Sequence, residues 1–331
     1  MNEIILFQNK EEAKFKAERI RKNIKAALVE NEIRFNPNYK TPDEIAHLIW
    51  PFPLGLVKEL KEDGKKVVLS LFYTKDARHG KRILSLEAFF KEELSKALVD
   101  IFDRADKILV PIEEYKDALI AKGLEGEKIE VVTSGINLQI YKFLPETDMG
   151  LARRYFSLGV ETKILLAFAD YEDKECLDRL NAVALLRPDT KVICIGTGKY
   201  SNPLFKRFSK KYKKPAPNIV FSKFVDINIY RSLLKNARCV LFLNSYFIDD
   251  VQLLETMAAE TQVIAYDLAL PNIYRQPFVM HTDDIGDLYK MITNFLDYKI
   301  SNTVSDAYYF VSKCDVKQLG ENLKMIYNNL L

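Results

Sequence analysis

Residues 238–267 read RCVLFLNSYFIDDVQLLETMAAETQVIAYD. An apolar run from Cys239 to Leu243 ends in Asn-Ser, and two adjacent carboxylates follow at Asp249 and Asp250. Then come a helical pattern, VQLLETMAAE, and a second apolar run, TQVIA. The order expected is strand, loop, helix, strand. Such a helix starts at the carboxyl end of a strand, where open α/β sheets bind their ligands. Its first turn, at Asp249, Asp250 and Val251, would offer free N–H groups and the positive end of the helix dipole, which suits a phosphate. One turn further, Glu255 sits among Leu253, Leu254, Met257 and Ala258. A carboxylate placed there accepts hydrogen bonds from the vicinal hydroxyls of a sugar, each worth roughly 1.5–3 kcal/mol when one partner is charged. The alternative is that Glu255 lies on the solvent face. A helix N-cap accounts equally well for the aspartate pair, and two adjacent acids without further clustered ligands are a poor metal site.

The elements needed to hold these groups recur along the chain. Short apolar runs at 3–7, 45–50, 66–72, 107–110 and 128–132 alternate with helical patterns at about 10–31, 54–62, 87–104 and 112–122. The second half repeats the scheme with KILLAF, KVICIG, IVF, CVLFL and QVIA. Continuous apolar strands alternating with helices predict parallel sheets covered on both faces. Two such series predict two doubly wound domains with a cleft between them. Pro, Gly and polar residues interrupt the alternation within 141–162, and the last thirty or so residues read as helices.

Composition fits an ordinary globular protein of 331 residues, long enough for two domains, with 48% hydrophobic and 29% charged residues. A net charge of +3 is too small to argue for nucleic acid. The segment 205–214, FKRFSKKYKK, interleaves Phe205, Phe208 and Tyr212 with basic residues, but at the spacing of one buried helical stripe rather than of a base-stacking platform. Four scattered cysteines and three histidines lack metal spacing, so reduced, buried thiols and no metal are expected. With no membrane-spanning run, the expected location is cytoplasmic. At 14–25, KFKAERIRKNIK, the apolar positions Ala17, Ile20 and Ile24 fall on one helical face and Lys14, Arg21, Lys22 and Lys25 mostly on others. That basic face is either simply solvated or a contact for the anionic inner face of a membrane, which would make the protein peripheral there.

Several stretches together resemble the family-four retaining glycosyltransferases of GT-B architecture. DRADKILVPIEEYKDALIAKGLEGEKIEVVTSGINLQIYKF at 103–143 is similar to the end of their first domain, DTKVICIGTG at 189–198 to a second-domain strand and turn, and NSYFIDDVQLLETMAAETQVIAYD to their paired-Glu segment. Within the family the nearest likeness is to bacterial diacylglycerol glycolipid synthases. The resemblance implies two Rossmann-type domains: 1–145 on the acceptor side, 146–305 holding a nucleotide-sugar, and a C-terminal helix, 306–331, returning toward the first. It implies hexosyl transfer with retention to a glycolipid or glycan acceptor, with no cofactor beyond the donor substrate. It assigns Glu255 to the donor ribose, Lys174 to the diphosphate, and Gly135, beside Ser134, to a close backbone approach.

The same comparison shows departures. Phe247 stands where the first Glu of the pair belongs, and Asp249 is the acid nearest to replacing it. Ala169 stands where an Arg would meet the diphosphate. The catalytic-region His is replaced by Phe72 or Tyr73, with His79 as a displaced substitute, and no glycine loop follows the first strand. Each lost electrostatic partner of this kind costs about 10²–10³ in rate. Two expectations follow: a transferase that uses Asp249 and His79, or a catalytically silent relative that partners an active homologous glycosyltransferase.

Overall fold

The computed structural model describes residues 3–7, 15–38, 40–50, 52–72, 96–170, 173–197, 215–222, 225–245 and 248–331. His79, Phe247, Tyr73, Lys14 and the 205–214 segment lie outside the described residues. Two compact units divide the rest: residues up to Asn137 together with Lys313–Leu331, and Leu138–Ser312.

The first unit is built on a six-stranded parallel sheet. Its strands are β1 (Ile4–Phe7), β2 (Phe35–Asn36), β3 (Ile45–Ile49), β4 (Lys66–Ser70), β5 (Lys107–Val110) and β6 (Ile129–Val131), in the order β2-β1-β3-β4-β5-β6. Every residue of β3 is buried, as the unbroken apolar run predicts for a strand covered on both faces. The crossovers include α1 (Phe15–Glu30), α2 (Leu54–Glu62), α3 (Lys96–Phe102) and α4 (Glu113–Ala121). In α2, Leu56, Val57 and Leu60 form the buried stripe. The helix gives way to Gly64, whose φ of 75° suits a residue without a Cβ.

The second unit begins with three short helices, α5 (Leu138–Lys142), α6 (Glu146–Met149) and α7 (Leu151–Tyr155). Its strands are β7 (Lys163–Asp170), β8 (Thr190–Thr197), β9 (Ile219–Ser222), β10 (Ala237–Phe242), β11 (Gln262–Tyr266) and β12 (Met280–Thr282). Its longer helices are α8 (Lys174–Leu186), α9 (Ile227–Asn236), α10 (Asp250–Ala258), α11 (Ile285–Leu296) and α12 (Val304–Ser312). The sheet is again six-stranded and parallel, in the order β12-β11-β10-β7-β8-β9. The order reverses between β7 and β10, the arrangement of a Rossmann sheet. All four cysteines are buried and none is in a disulfide. Burial pushes the Cys239 thiol up to about 12, so it behaves as a small hydrophobe.

The chain changes unit at Asn137–Leu138 and again at Ser312–Lys313, rather than at 145 and 305. The reason is packing: α5 and α12 both lie against α10 and so belong to the second core. After Ser312 the last helix, α13 (Val316–Asn328), packs on α1 in the first unit. Asp315 caps it by accepting from the Lys317 amide at 2.9 Å. Gly320 lets the two helices meet: a Cβ there would fall 2.3 Å from the Ala27 carbonyl. Tyr327, near the far end, meets His47 Nδ1 at 2.6 Å, and His47 Nε2 meets Ser70 Oγ at 2.6 Å. This buried chain of polar groups joins α13 to β3 and β4. Burial without a charged partner depresses the His47 pKa to about 3, so the ring stays neutral.

Candidate functional site

The two strands flanking the order reversal in the second sheet are β7 and β10, and the sequence candidates follow them. After β7 comes Asp173, whose side chain caps α8 by accepting from the Cys176 amide at 2.9 Å. The other carboxylate oxygen of Asp173 crosses to the loop after β10, accepting from the Ser245 amide at 2.7 Å. Arg179, two turns into α8, donates to the Leu243 carbonyl at 2.9 Å and to Ser245 Oγ at 2.6 Å. Its guanidinium lies 4.3 Å from the ring centre of Tyr266, at the end of β11. Three strand ends are thus tied by one buried acid and one buried base. Burial raises the Asp173 pKa, against the lowering effect of the Cys176 and Ser245 amides and of Arg179.

Lys174 opens α8, on the same loop. More than half of its side chain is exposed, and its ammonium pairs only loosely with Asp178, at 3.3 Å. An exposed i,i+4 pair of this kind is worth about 0.3–0.5 kcal/mol, so the cation is easily redirected to an incoming anion. Ala169, buried in β7, adds no second charge.

The loop after β10 leads into α10, and every residue of that helix is buried. One of the N–H groups expected to be free at its start, that of Val251, is already engaged. Asp249 is the N-cap, and its side chain accepts from the Val251 amide at 3.2 Å, while its carbonyl accepts from Leu253 at 3.1 Å. Asp249 and Asp250 are both buried there. The capping geometry favours a negative charge that the protein already supplies, so this helix end is less inviting to a phosphate than the sequence suggests.

Glu255 is 1% exposed, which excludes the solvent-face alternative. Its Oε1 accepts from Tyr141 Oη at 2.5 Å and its Oε2 from Tyr230 Oη at 2.8 Å. Tyr141 comes from α5 and Tyr230 from α9, so three helices converge on one carboxylate. The Tyr230 ring leans on Phe168, which in turn meets Phe242, across the ends of β7 and β10. A carboxylate held this way is a hydroxyl acceptor by construction, the chemistry a sugar diol requires.

Ser134 and Gly135 lie in the first unit. Ser134 is buried. Gly135 has a φ of 69°, and a Cβ there would fall 2.5 Å from Leu319 Cδ2 of α13. Its carbonyl accepts from Asn23 of α1 at 2.7 Å. Packing between these helices is sufficient reason for this glycine. On α1 itself, Ile20, Ile24, Ala27 and Leu28 are buried as the spacing predicts, but the basic face is partly used. Arg19 is buried, Arg21 pairs with Glu18, and Lys25 lies over the Phe35 ring. Among the described residues no group of three or more His, Cys, Asp and Glu is placed to hold a metal ion, and no helix is long and apolar enough to cross a membrane.

Sequence reading passed over Asp173, Arg179, Ser245, Tyr141 and Tyr230. Two carried a signal. Arg179 sits between Cys176 and Leu180 on the stripe that α8 buries, an unusual place for a cation. Tyr230 shares the buried face of α9 with Leu233 and Leu234, where a phenol needs a partner for its hydroxyl.

No protein-family model matches the chain. It is 21% identical over 239 residues, 71% of each chain, to the processive diacylglycerol alpha-glucosyltransferase of Acholeplasma laidlawii. Among solved structures, HepE of Anabaena in complex with UDP and glucose superposes with a TM-score of 0.75 at 13% identity, covering 99% of both chains. WaaG, a glycosyltransferase involved in lipopolysaccharide biosynthesis, gives 0.68 at 13% identity over 98% of this chain and 99% of its own. By fold the chain is therefore a GT-B protein of two Rossmann-type units, and its sequence is similar to that of a glycolipid glucosyltransferase.

Proposed function

We propose that the protein is a glycosyltransferase that moves a hexose, with retention, from a nucleotide-sugar to a glycolipid acceptor. The observation that carries this reading is the placement of Glu255: a buried carboxylate, already engaged by two hydroxyls, on the helix that follows the strand at the order reversal. Glu255 would take the donor ribose hydroxyls and Lys174 the diphosphate. Asp249, as cap of α10, would position the loop beside the hexose rather than act on it, with Asp250 and Val251 forming the first turn behind it. Support for the donor class comes from the neighbouring fold: HepE is crystallised with UDP and with UDP-glucose. Support for the acceptor class comes from the Acholeplasma laidlawii relative, named for diacylglycerol glucosylation. Of the α1 cations named for a lipid surface, Lys22 is exposed, so any contribution to membrane binding would be modest, about 1 kcal/mol per residue.

The test is direct. The protein is incubated with UDP-glucose and with monoglucosyl-diacylglycerol in mixed micelles, and products are read by mass spectrometry. A lipid heavier by one hexose is expected, with an α-anomeric signal by NMR. No transfer from UDP-glucose, UDP-galactose or GDP-mannose to any glycolipid would contradict the proposal.

A further inference from the structure

We infer that the hydroxyl of Tyr141 occupies, in the unliganded protein, the position on Glu255 that a donor ribose hydroxyl takes, so that Tyr141 leaves as the nucleotide enters; this rests on the donor reading above. A ribose offers two neighbouring hydroxyls, and a carboxylate oxygen given up by its present partner can receive one of them. Here the two oxygens already receive two hydroxyls, from Tyr141 and from Tyr230. The side chains around Glu255 leave it 1% exposed, so a sugar cannot reach it unless a neighbour moves.

The two tyrosines are not held alike. Tyr230 is itself 1% exposed and lies within the ten-residue helix α9, which Asp226 caps by accepting from the Asn228 amide at 2.8 Å. Its ring also rests on Phe168 of β7. Tyr141, 7% exposed, belongs to α5, a helix of only five residues in which the preceding Ile140 is exposed, as is Phe143 just past the helix end. Moving Tyr141 disturbs one turn of helix; moving Tyr230 disturbs a packed helix and the end of the central strand. Tyr230 therefore remains on Oε2 and keeps the carboxylate aimed, and Tyr141 yields Oε1. The arrangement keeps Glu255 hydrogen-bonded when no donor is present, which a buried carboxylate requires.

The experiment is calorimetric titration of the full chain with uridine and guanosine diphosphates and with their 2′,3′-dideoxy forms. Wild type, Glu255→Ala, Tyr141→Phe and Tyr230→Phe are compared. Removing the competing hydroxyl in Tyr141→Phe should tighten the ribose form by about threefold to tenfold, the range expected for one hydrogen bond. The dideoxy form has no hydroxyl to take the vacated place, so its affinity should not change. Tyr230→Phe should weaken the ribose form. A Tyr141→Phe variant that binds the ribose form equally or more weakly, or that tightens both forms alike, overturns the inference while leaving the donor reading intact. Binding that Glu255→Ala leaves unchanged overturns the donor reading at this residue, and the inference with it.

Discussion

Glu255 shows how one buried charge can be both a structural and a binding group. Its two tyrosine hydroxyls offset the cost of removing a carboxylate from water, and hydrogen bonds to a charged group contribute roughly 1.5–3 kcal/mol each. Glu255→Gln turns one oxygen into an N–H pair facing a tyrosine. It should lower unfolding stability by about 1–3 kcal/mol in a urea titration, because a buried group is left mismatched. Arg179 plays the comparable part under the strand ends. Arg179→Leu takes the guanidinium donor from the Leu243 carbonyl and Ser245 Oγ and removes a positive charge that favours the Asp173 carboxylate. A loss of about 2–4 kcal/mol is expected, read as a lower urea midpoint with unchanged slope. No measurable change in either variant would mean that these bonds do not hold the site. At this scale the sequence singled out Glu255 and Lys174 as candidates, because each falls within a recognisable stretch. It hid Tyr141 and Tyr230, because 114 and 25 residues separate them from Glu255 and only the fold closes those gaps.

The element that most depends on tertiary context is α13. Its contact with α1 relies on Gly320, so Gly320→Ala should force the Ala27 carbonyl aside and destabilise the first unit by about 1–3 kcal/mol. Trp50, the single tryptophan, lies in the first unit beside Phe52 and Phe102, and its fluorescence should report that loss. A second consequence concerns acid. His47, between Tyr327 and Ser70, has a folded pKa of about 3 against an ordinary value of 6.5. As pH falls below 6.5 the unfolded chain takes up a proton that the folded ring refuses. Stability contributed by His47 is therefore complete above pH 6.5 and is lost at up to about 1.4 kcal/mol per pH unit on the way down to pH 3. His47→Gln should flatten that part of the profile, whatever it costs at neutral pH; an unchanged acid slope would show that the ring is protonated in the folded state. Helix α2 and strand β5 were legible from apolar spacing, the expected 54–62 and 107–110 agreeing with Leu54–Glu62 and Lys107–Val110. Strand β12, three residues long at the sheet's edge, was not, since so short a run has no period to read.

For the whole molecule, two six-stranded parallel sheets follow from two series of apolar runs separated by amphipathic helices, which is why the fold class was visible in the sequence. Strand order was not visible, because it depends on which crossover packs on which face. That order matters most for function: it makes β7 and β10 neighbours and so brings Asp173 and Lys174 to the same sheet end as Ser245, Asp249 and α10. The measurement that bears most directly on the account is calorimetric titration of UDP-glucose into the intact protein and into Glu255→Ala. The account predicts saturable binding to the wild type, weakened at least about tenfold by the substitution, as expected when one charged hydrogen bond is lost. Equal affinity in the two proteins, or no binding of UDP-glucose, GDP-mannose or ADP-glucose to the wild type, would contradict it.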